Sequence, residues 1–174
     1  MLLGEIVNEF ERINKLLDFE SQPPAQPPGG FLFAMSTIFS KILAGEAPAS
    51  FVYRDERVAA FMDIRPVNAG HVLVVPVQPT TYLSDLDDAT AAQMFVVARR
   101  VAAAIRQSGV KCEGINLFLA DGESAGQDVF HVHLHVVPRF ADDGFGLKLP
   151  PHYPHLPERA ALDELAGRIQ ARLK

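Results

Sequence analysis

Three histidines at alternate positions, His131, His133 and His135, stand in the segment Phe130-His131-Val132-His133-Leu134-His135-Val136-Val137-Pro138-Arg139. Read as a strand over Val129 to Val137, this segment turns successive side chains to opposite faces. The three imidazoles then share one side, while Phe130, Val132, Leu134 and Val136 bury the other. Three imidazoles in a row serve no purpose in core packing. Successive rings on one face lie roughly 7 Å apart, close enough for mutual repulsion to disfavour double protonation. Each is therefore expected to stay neutral, the form that a nucleophile or a metal ligand needs. Two chemistries fit. A His-x-His pair on a strand with a third histidine suits catalytic zinc, and a neutral histidine oriented by its neighbours can attack an electrophile directly. The residues by themselves leave both open.

The elements that must hold this segment can be read from hydrophobic period and punctuation. Ile38-Phe39-Ser40-Lys41-Ile42-Leu43 predicts a short helix stopped by Gly45 and Pro48. Phe51 to Tyr53, Val58 to Met62 and His71 to Val75 read as strands, with turns at Arg54-Asp55-Glu56 and Pro66-Val67-Asn68-Ala69-Gly70. The strongest helical pattern runs from about Asp87 to Gln107. Ser84 or Asp87 caps it, Met94, Val97, Val101 and Ile105 lie on one face, and Gly109 ends it. Ile115 to Leu119 is a further strand, and a Gly- and Pro-rich tail leads to a helix over 158–173. Helices segregated from hairpin-linked strands indicate an α+β domain on an antiparallel sheet of about five strands.

Ahead of this body, apolar Ile6, Phe10, Ile13, Leu16 and Leu17 recur at helical spacing, before the run Pro23-Pro24-Ala25-Gln26-Pro27-Pro28-Gly29-Gly30. Residues 1–34 therefore read as an extension, amphipathic helix plus stiff linker. It is either an upstream segment foreign to the domain or, through residues 4–19, a docking device for a partner. The domain proper is placed at 35–140 and the tail with its helix at 141–174. The 174 residues carry a formal net charge of −5, which argues against a nucleic-acid or polybasic membrane surface. No 18-residue apolar run is present, the start lacks a signal-peptide pattern, and the single Cys112 cannot pair internally. A cytoplasmic protein is the expectation.

The segment His131-Val132-His133-Leu134-His135-Val136 closely resembles the His-φ-His-φ-His-φ-φ signature of the histidine-triad (HIT) superfamily of nucleotide hydrolases and transferases, φ being an apolar residue. Ile38-Phe39-Ser40-Lys41-Ile42, Phe61-Met62-Asp63-Ile64-Arg65-Pro66, Gly70-His71-Val72-Leu73-Val74-Val75-Pro76 and Ala125-Gly126-Gln127 are similar to further segments of that family, in order, over about residues 36–140. The resemblance implies the HIT fold, a purine nucleotide substrate, a homodimer, and chemistry done by histidine without cofactor or metal. It implies that His133 is the nucleophile, attacking the α-phosphorus and becoming transiently nucleotidylated before water releases the monophosphate. His131 would support it, and His135 and His71 would line the phosphate site. Gln127 would contact phosphate oxygens, with Gly126, Asp128 and Val129 beside it. Asp63 would accept from the ribose hydroxyls, and Ile38, Phe39, Ile42, Phe61, Ile64 and Leu73 would form the slot for the base.

Three departures from the family pattern bear on function. Thr37, Ser40 and Pro79 stand where many relatives hold a structural zinc with two cysteines and a histidine, so no zinc is expected. Ala120 replaces a customary Asn or Gln near the phosphate. Asp128 stands where Ser or Thr is common; facing the site, its charge would repel polyphosphate leaving groups and favour amines. The opening Ile38–Ile42 segment and Gly144-Phe145-Gly146-Leu147 resemble the Hint branch, which cleaves nucleoside phosphoramidates. The His71 segment with Pro79, and Asp121-Gly122-Glu123, are similar to the Fhit branch of dinucleoside polyphosphate hydrolases. The phosphoramidate reading is favoured. Polyphosphate hydrolysis, a nucleotide-binding module with little turnover, and a metalloprotein using the three motif histidines are the alternatives.

Overall fold

The computed structural model describes residues 36–151, 153 and 156–173. The helical pattern over 4–19, with the rest of the 1–34 extension, lies outside the described residues. Along the chain come α1 (Ile38–Ala44), β1 (Phe51–Arg54), β2 (Val58–Met62), β3 (Val72–Pro76), α2 (Asp88–Gln107), β4 (Gly114–Leu119), β5 (Leu134–Arg139) and α3 (Arg159–Gln170). The strands form one antiparallel sheet in the order β1-β2-β3-β5-β4. This is the α+β architecture expected.

Local chemistry sets the ends of the helices. The Thr37 hydroxyl accepts from the Ser40 N–H to cap α1, and Gly45, at φ +79°, closes it by returning its N–H to Ile42 and Lys41 carbonyls. Asp87, rather than Ser84, caps α2 by accepting from the Thr90 N–H; Ser84 falls in a separate 3₁₀ turn over Leu83–Asp85. The turn between β1 and β2 is held by Asp55, whose carboxylate accepts from the N–H groups of Arg57 and Val58.

Period two sorts the strands into two cores. Val58 and Ala60 of β2, Val72 and Val74 of β3, and Val136 of β5 pack with Met94, Val97, Ala98, Val101 and Ile105 of α2. Ala59, Phe61, Leu73 and Val75 face the other way, onto Phe39, Ile42 and Leu43 of α1. Both central strands are thus covered on both faces, while the odd-numbered residues of β5 point to the α1 side. At about 25 cal/mol per Å² of apolar area, each large side chain buried in these layers contributes roughly 1.5–3 kcal/mol.

One expectation is corrected. The histidine strand begins at Leu134, not at Val129. β3 and β5 pair through Val72↔Val136, Leu73↔His135 and Val74↔Leu134, and the ladder stops there. Continuing it would bring up Pro76, which has no N–H to give, and whose carbonyl already accepts from the His131 ring. The chain before Leu134 bends instead. His131 N–H closes on Val129 O, and Val132 N–H goes to Thr80 O in the loop after β3. The C-terminal helix is also shorter than expected, ending at Gln170.

The described residues divide into two compact units after Asp143. The second contains α3, on which Leu162, Leu165 and Ile169 are exposed. Among the described residues no helix is long and apolar enough to cross a membrane.

Candidate active site

The site lies on the α1 side of the sheet, where the bend before β5 delivers two histidines, β5 a third, and the start of β3 a fourth. His71, His131 and His133 are buried, and His135 is partly so. The face-sharing expected of the triad holds although only His135 is in a strand, because the extended residues before Leu134 keep the alternation: Val132 and Val136 enter the α2 core opposite. The rings are closer than strand spacing alone predicts, with His133 and His135 centroids 4.9 Å apart and His71 and His135 5.1 Å apart. The bend brings them together.

Gly70 is what turns His71 into this cluster. It sits at φ +91°, in the left-handed region that favours glycine, and a Cβ there would come within 2.9 Å of Val110 Cγ1. Its neighbour His71 is then held through a hydrogen bond from the Val67 N–H to Nδ1.

The hydrogen bonds assign the ring protons one after another. His71 Nδ1 accepts, so its Nε2–H is the donor in the 2.9 Å contact with His135 Nδ1. His135 therefore carries its own proton on Nε2 and can donate it to an anion. His131 Nε2 lies 2.9 Å from the Pro76 carbonyl, which can only accept; its Nδ1 is left to accept from the Thr37 hydroxyl at 3.3 Å. His133 Nδ1 lies 2.8 Å from the His131 carbonyl and donates to it. In the neutral ring His133 Nε2 then holds the unshared pair. Among the described residues no buried side-chain nitrogen or oxygen lacks a partner. Nε2 has none within hydrogen-bond reach, so it is not sealed from solvent. Of four imidazoles, three are tied into the protein by both nitrogens or offer a proton, and one offers an outward lone pair.

Electrostatics keep the surrounding rings uncharged. Burial pushes His71 down, against the opposing pull of Asp63, and pushes His131 down, against the Pro76 carbonyl. Burial, with His133 and His71 as neighbours, lowers His135 to about 4.

Around them, the Phe39 ring stands edge-on to His133 at 5.2 Å and to His131 at 5.8 Å, and against Phe61 at 5.6 Å. Phe39, Ile42, Phe61 and Leu73 form one apolar cluster, with Ile38 and Val129 packed at its border. Ile64 stands apart from them, 76% exposed on the turn after Asp63. Asp63 accepts from the Arg65 N–H, and its other oxygen lies 3.4 Å from His71 Nδ1. Gln127 is buried, and both ends of its amide hold backbone: Oε1 accepts from Gly122 N–H, and Nε2 donates to Thr81 O. Gly126, at φ +87°, makes the turn that aims it. Asp128 is exposed, with Oδ1 3.9 Å from His133 Nε2 and Oδ2 3.8 Å from the Arg65 guanidinium. Ala120 is buried beneath this loop end.

Three side chains were not singled out for the site from the sequence and belong beside it. Thr37, read only as the loss of a zinc ligand, caps α1 and reaches the His131 ring. Its capping position was legible; the contact 94 residues away was not. Arg65 pairs with Asp128. Asn68 donates to Pro138 O and Asp143, tying the turn before His71 to the end of β5.

The atoms that could together reach a metal ion belong to Asp63, His71 and His135, all within 4.8 Å of one another. An ion there would compete with the proton shared between His71 and His135. Among the described residues the three motif histidines do not converge in this way.

Comparison with known proteins places this geometry among relatives. The HIT domain family model matches residues 44–142. The protein Hit of Bacillus subtilis is 43% identical over 114 residues, covering 65% of this chain and 78% of that protein. The adenosine 5′-monophosphoramidase of Schizosaccharomyces pombe is 32% identical over 139 residues, 78% of this chain and 100% of that one. The crystal structure of a HIT family protein from Bacillus anthracis superposes with a TM-score of 0.74 at 37% identity, covering 80% of this chain and 99% of that chain.

Proposed function

The chain belongs to the HIT family, and on that premise we propose that it is a nucleotide-binding hydrolase cleaving nucleoside 5′-phosphoramidates through a covalent intermediate on His133. The observation that carries the reading is the proton assignment, which leaves His133 Nε2 as the outward lone pair. The full-length similarity to an adenosine 5′-monophosphoramidase supports the choice of substrate.

In this reading the base enters beside Phe39, Phe61 and Leu73, and Asp63 accepts from the ribose hydroxyls. His133 Nε2 attacks the α-phosphorus as the P–N bond breaks; the nitrogen keeps the electron pair, takes a proton from solvent and leaves as the amine. Positive charge then develops on the His133 ring. The His131 carbonyl, already accepting from Nδ1–H, is in place to stabilise it and holds the ring's orientation. His135 offers its Nε2–H to a phosphate oxygen, in the tautomer that His71 imposes. Water then attacks the nucleotidyl-histidine and restores the lone pair. Dividing one difficult displacement into two easier ones is the gain from the covalent route. No step calls for a metal. The homodimer implied by the family is part of the same proposal, and light scattering on the purified chain reads it directly.

The test is AMP release from adenosine 5′-phosphoramidate and diadenosine triphosphate side by side, with His133→Ala as control and circular dichroism to check its folding. Release from the phosphoramidate, abolished in folded His133→Ala, is the expected result. A better rate on the triphosphate would make the chain a polyphosphate hydrolase. Binding of nucleotide without release from either would make it a binding module.

A further inference from the structure

We infer that Asp128 sets leaving-group specificity at this site, selecting nucleotides whose leaving amine carries a positively charged tail and turning away polyphosphates. This rests on the hydrolase reading above. Asp128 follows Gln127, which is buried and anchored at both ends of its amide to backbone of two loops. The loop therefore presents Asp128 from a fixed base. Its carboxylate lies 3.9 Å from the attacking nitrogen, and among the described residues no other carboxylate oxygen lies within 4 Å of that ring's nitrogens.

Attack requires phosphorus about 3–3.5 Å from Nε2, with the leaving atom on its far side. With the leaving atom about 5 Å from Nε2 and Asp128 3.9 Å from the same nitrogen, a carboxylate to the side of the attack line lies about 6–7 Å from that atom. A carboxylate is acceptor-only, so it can give nothing to a phosphate oxygen, while its charge attracts a cationic leaving group and repels an anionic one. In the step it favours, the Nε2 lone pair forms the bond to phosphorus while the P–N pair stays on nitrogen. That nitrogen takes a proton from solvent and departs as the amine, its cationic tail drawn by the Asp128 charge. At about 6–7 Å, and an effective dielectric between those of water and a protein surface, each unit of charge on the leaving group is worth roughly tenfold in rate. A cation gains that factor, and a phosphate loses it.

Arg65 is the counterweight. Its guanidinium lies 3.8 Å from the second oxygen of Asp128, and both side chains are exposed, so it offsets part of the carboxylate's charge. Removing it sharpens the discrimination, whereas removing Asp128 abolishes it. Opposite effects from two partners of one ion pair are not what loss of structure produces.

The experiment compares three AMP donors: the phosphoramidate of ethylenediamine, whose tail is cationic; that of propylamine, which is neutral; and diadenosine triphosphate. Values of kcat/KM, and affinities by calorimetry, are taken for the wild type, Asp128→Asn and Arg65→Gln. The wild type is expected to favour the cationic over the neutral amide about tenfold. In Asp128→Asn that ratio falls toward one and the triphosphate, whose leaving group carries two or more negative charges, gains at least about tenfold relative to the propyl amide; in Arg65→Gln both preferences widen. Turnover with ratios unchanged in Asp128→Asn overturns this inference and leaves the hydrolase reading standing. Should nothing be turned over, the affinity ratios report on Asp128 in the same way while the hydrolase reading falls. A chain that binds none of the three overturns both.

Discussion

Acidification from pH 7 to pH 5 is expected to destabilise the folded domain through histidines that fold buried and neutral. In the unfolded chain His135 has the ordinary value of 6.5; in the fold, burial and then its His133 and His71 neighbours lower it to about 4. Between those values the unfolded chain binds more protons than the native one, so stability rises with pH across this window. The contribution is fully present above pH 6.5 and is lost as the pH falls toward 4. Linkage for that shift amounts to about 1.8 kcal/mol between pH 7 and pH 5. His135 is only partly buried, and discounting for solvent screening leaves about 1 kcal/mol. His71 and His131 are displaced in the same direction, also by burial first, and add to it. With a urea m value of about 2 kcal/mol/M, the midpoint falls by about half a molar or more. Carboxylates do not imitate the effect. Burial's upward push on Asp55 is outweighed by the Tyr53 hydroxyl and the turn N–H groups, which hold it at about 2, and Asp87 is lowered by its bonds to Thr90. The assay is urea unfolding of the wild type and His135→Asn at pH 7, 6 and 5. A midpoint that is flat or rises on acidification, or a pH slope identical in the variant, would refute the reasoning.

Thr37→Val removes both the cap of α1 and the partner of His131 Nδ1. It should cost about 2 kcal/mol, from a cap worth about 1 and a buried acceptor left unpaired. Thr37→Ser should stay within about 0.5 kcal/mol, and equal melting temperatures for the two variants would remove Thr37 from this role. Gly70→Ala must place a Cβ at positive φ within 2.9 Å of Val110. A loss of about 2–3 kcal/mol is expected, and adding Val110→Ala should recover only the steric part, leaving the backbone strain. Full stability of the single variant would show that the turn tolerates a side chain.

The helices and most strands were legible because their determinants are local. Gly45 and Asp87 mark helix ends in sequence as they do in space, and Met94, Val97, Val101 and Ile105 declare the buried stripe of α2. The alternation of Val58 to Phe61 and Val72 to Val75 assigns two cores, though it cannot say that α1 covers one and α2 the other. The strand at the histidines was drawn too long, because alternation persists in extended chain whether or not a neighbour pairs with it. What ended the ladder was Pro76, 58 residues before Leu134 and invisible as its partner until the sheet was assembled.

The site divides along the same line. The types and spacing of His131, His133 and His135 were enough to demand chemistry, and, with the segments around Phe39, Asp63, His71 and Gln127, enough to resemble one family. The resemblance named His133, but residue types and spacing alone gave no physical reason to prefer it, since a ring's reactivity depends on which nitrogen carries its proton. That choice rests on the Pro76 carbonyl, the Val67 N–H, the Thr37 hydroxyl and the His131 carbonyl, groups that any sequence contains and only a fold can aim. Residue identity determined that this chain carries a row of imidazoles; the hydrogen bonds made on folding decided which ring nitrogen is left without a partner.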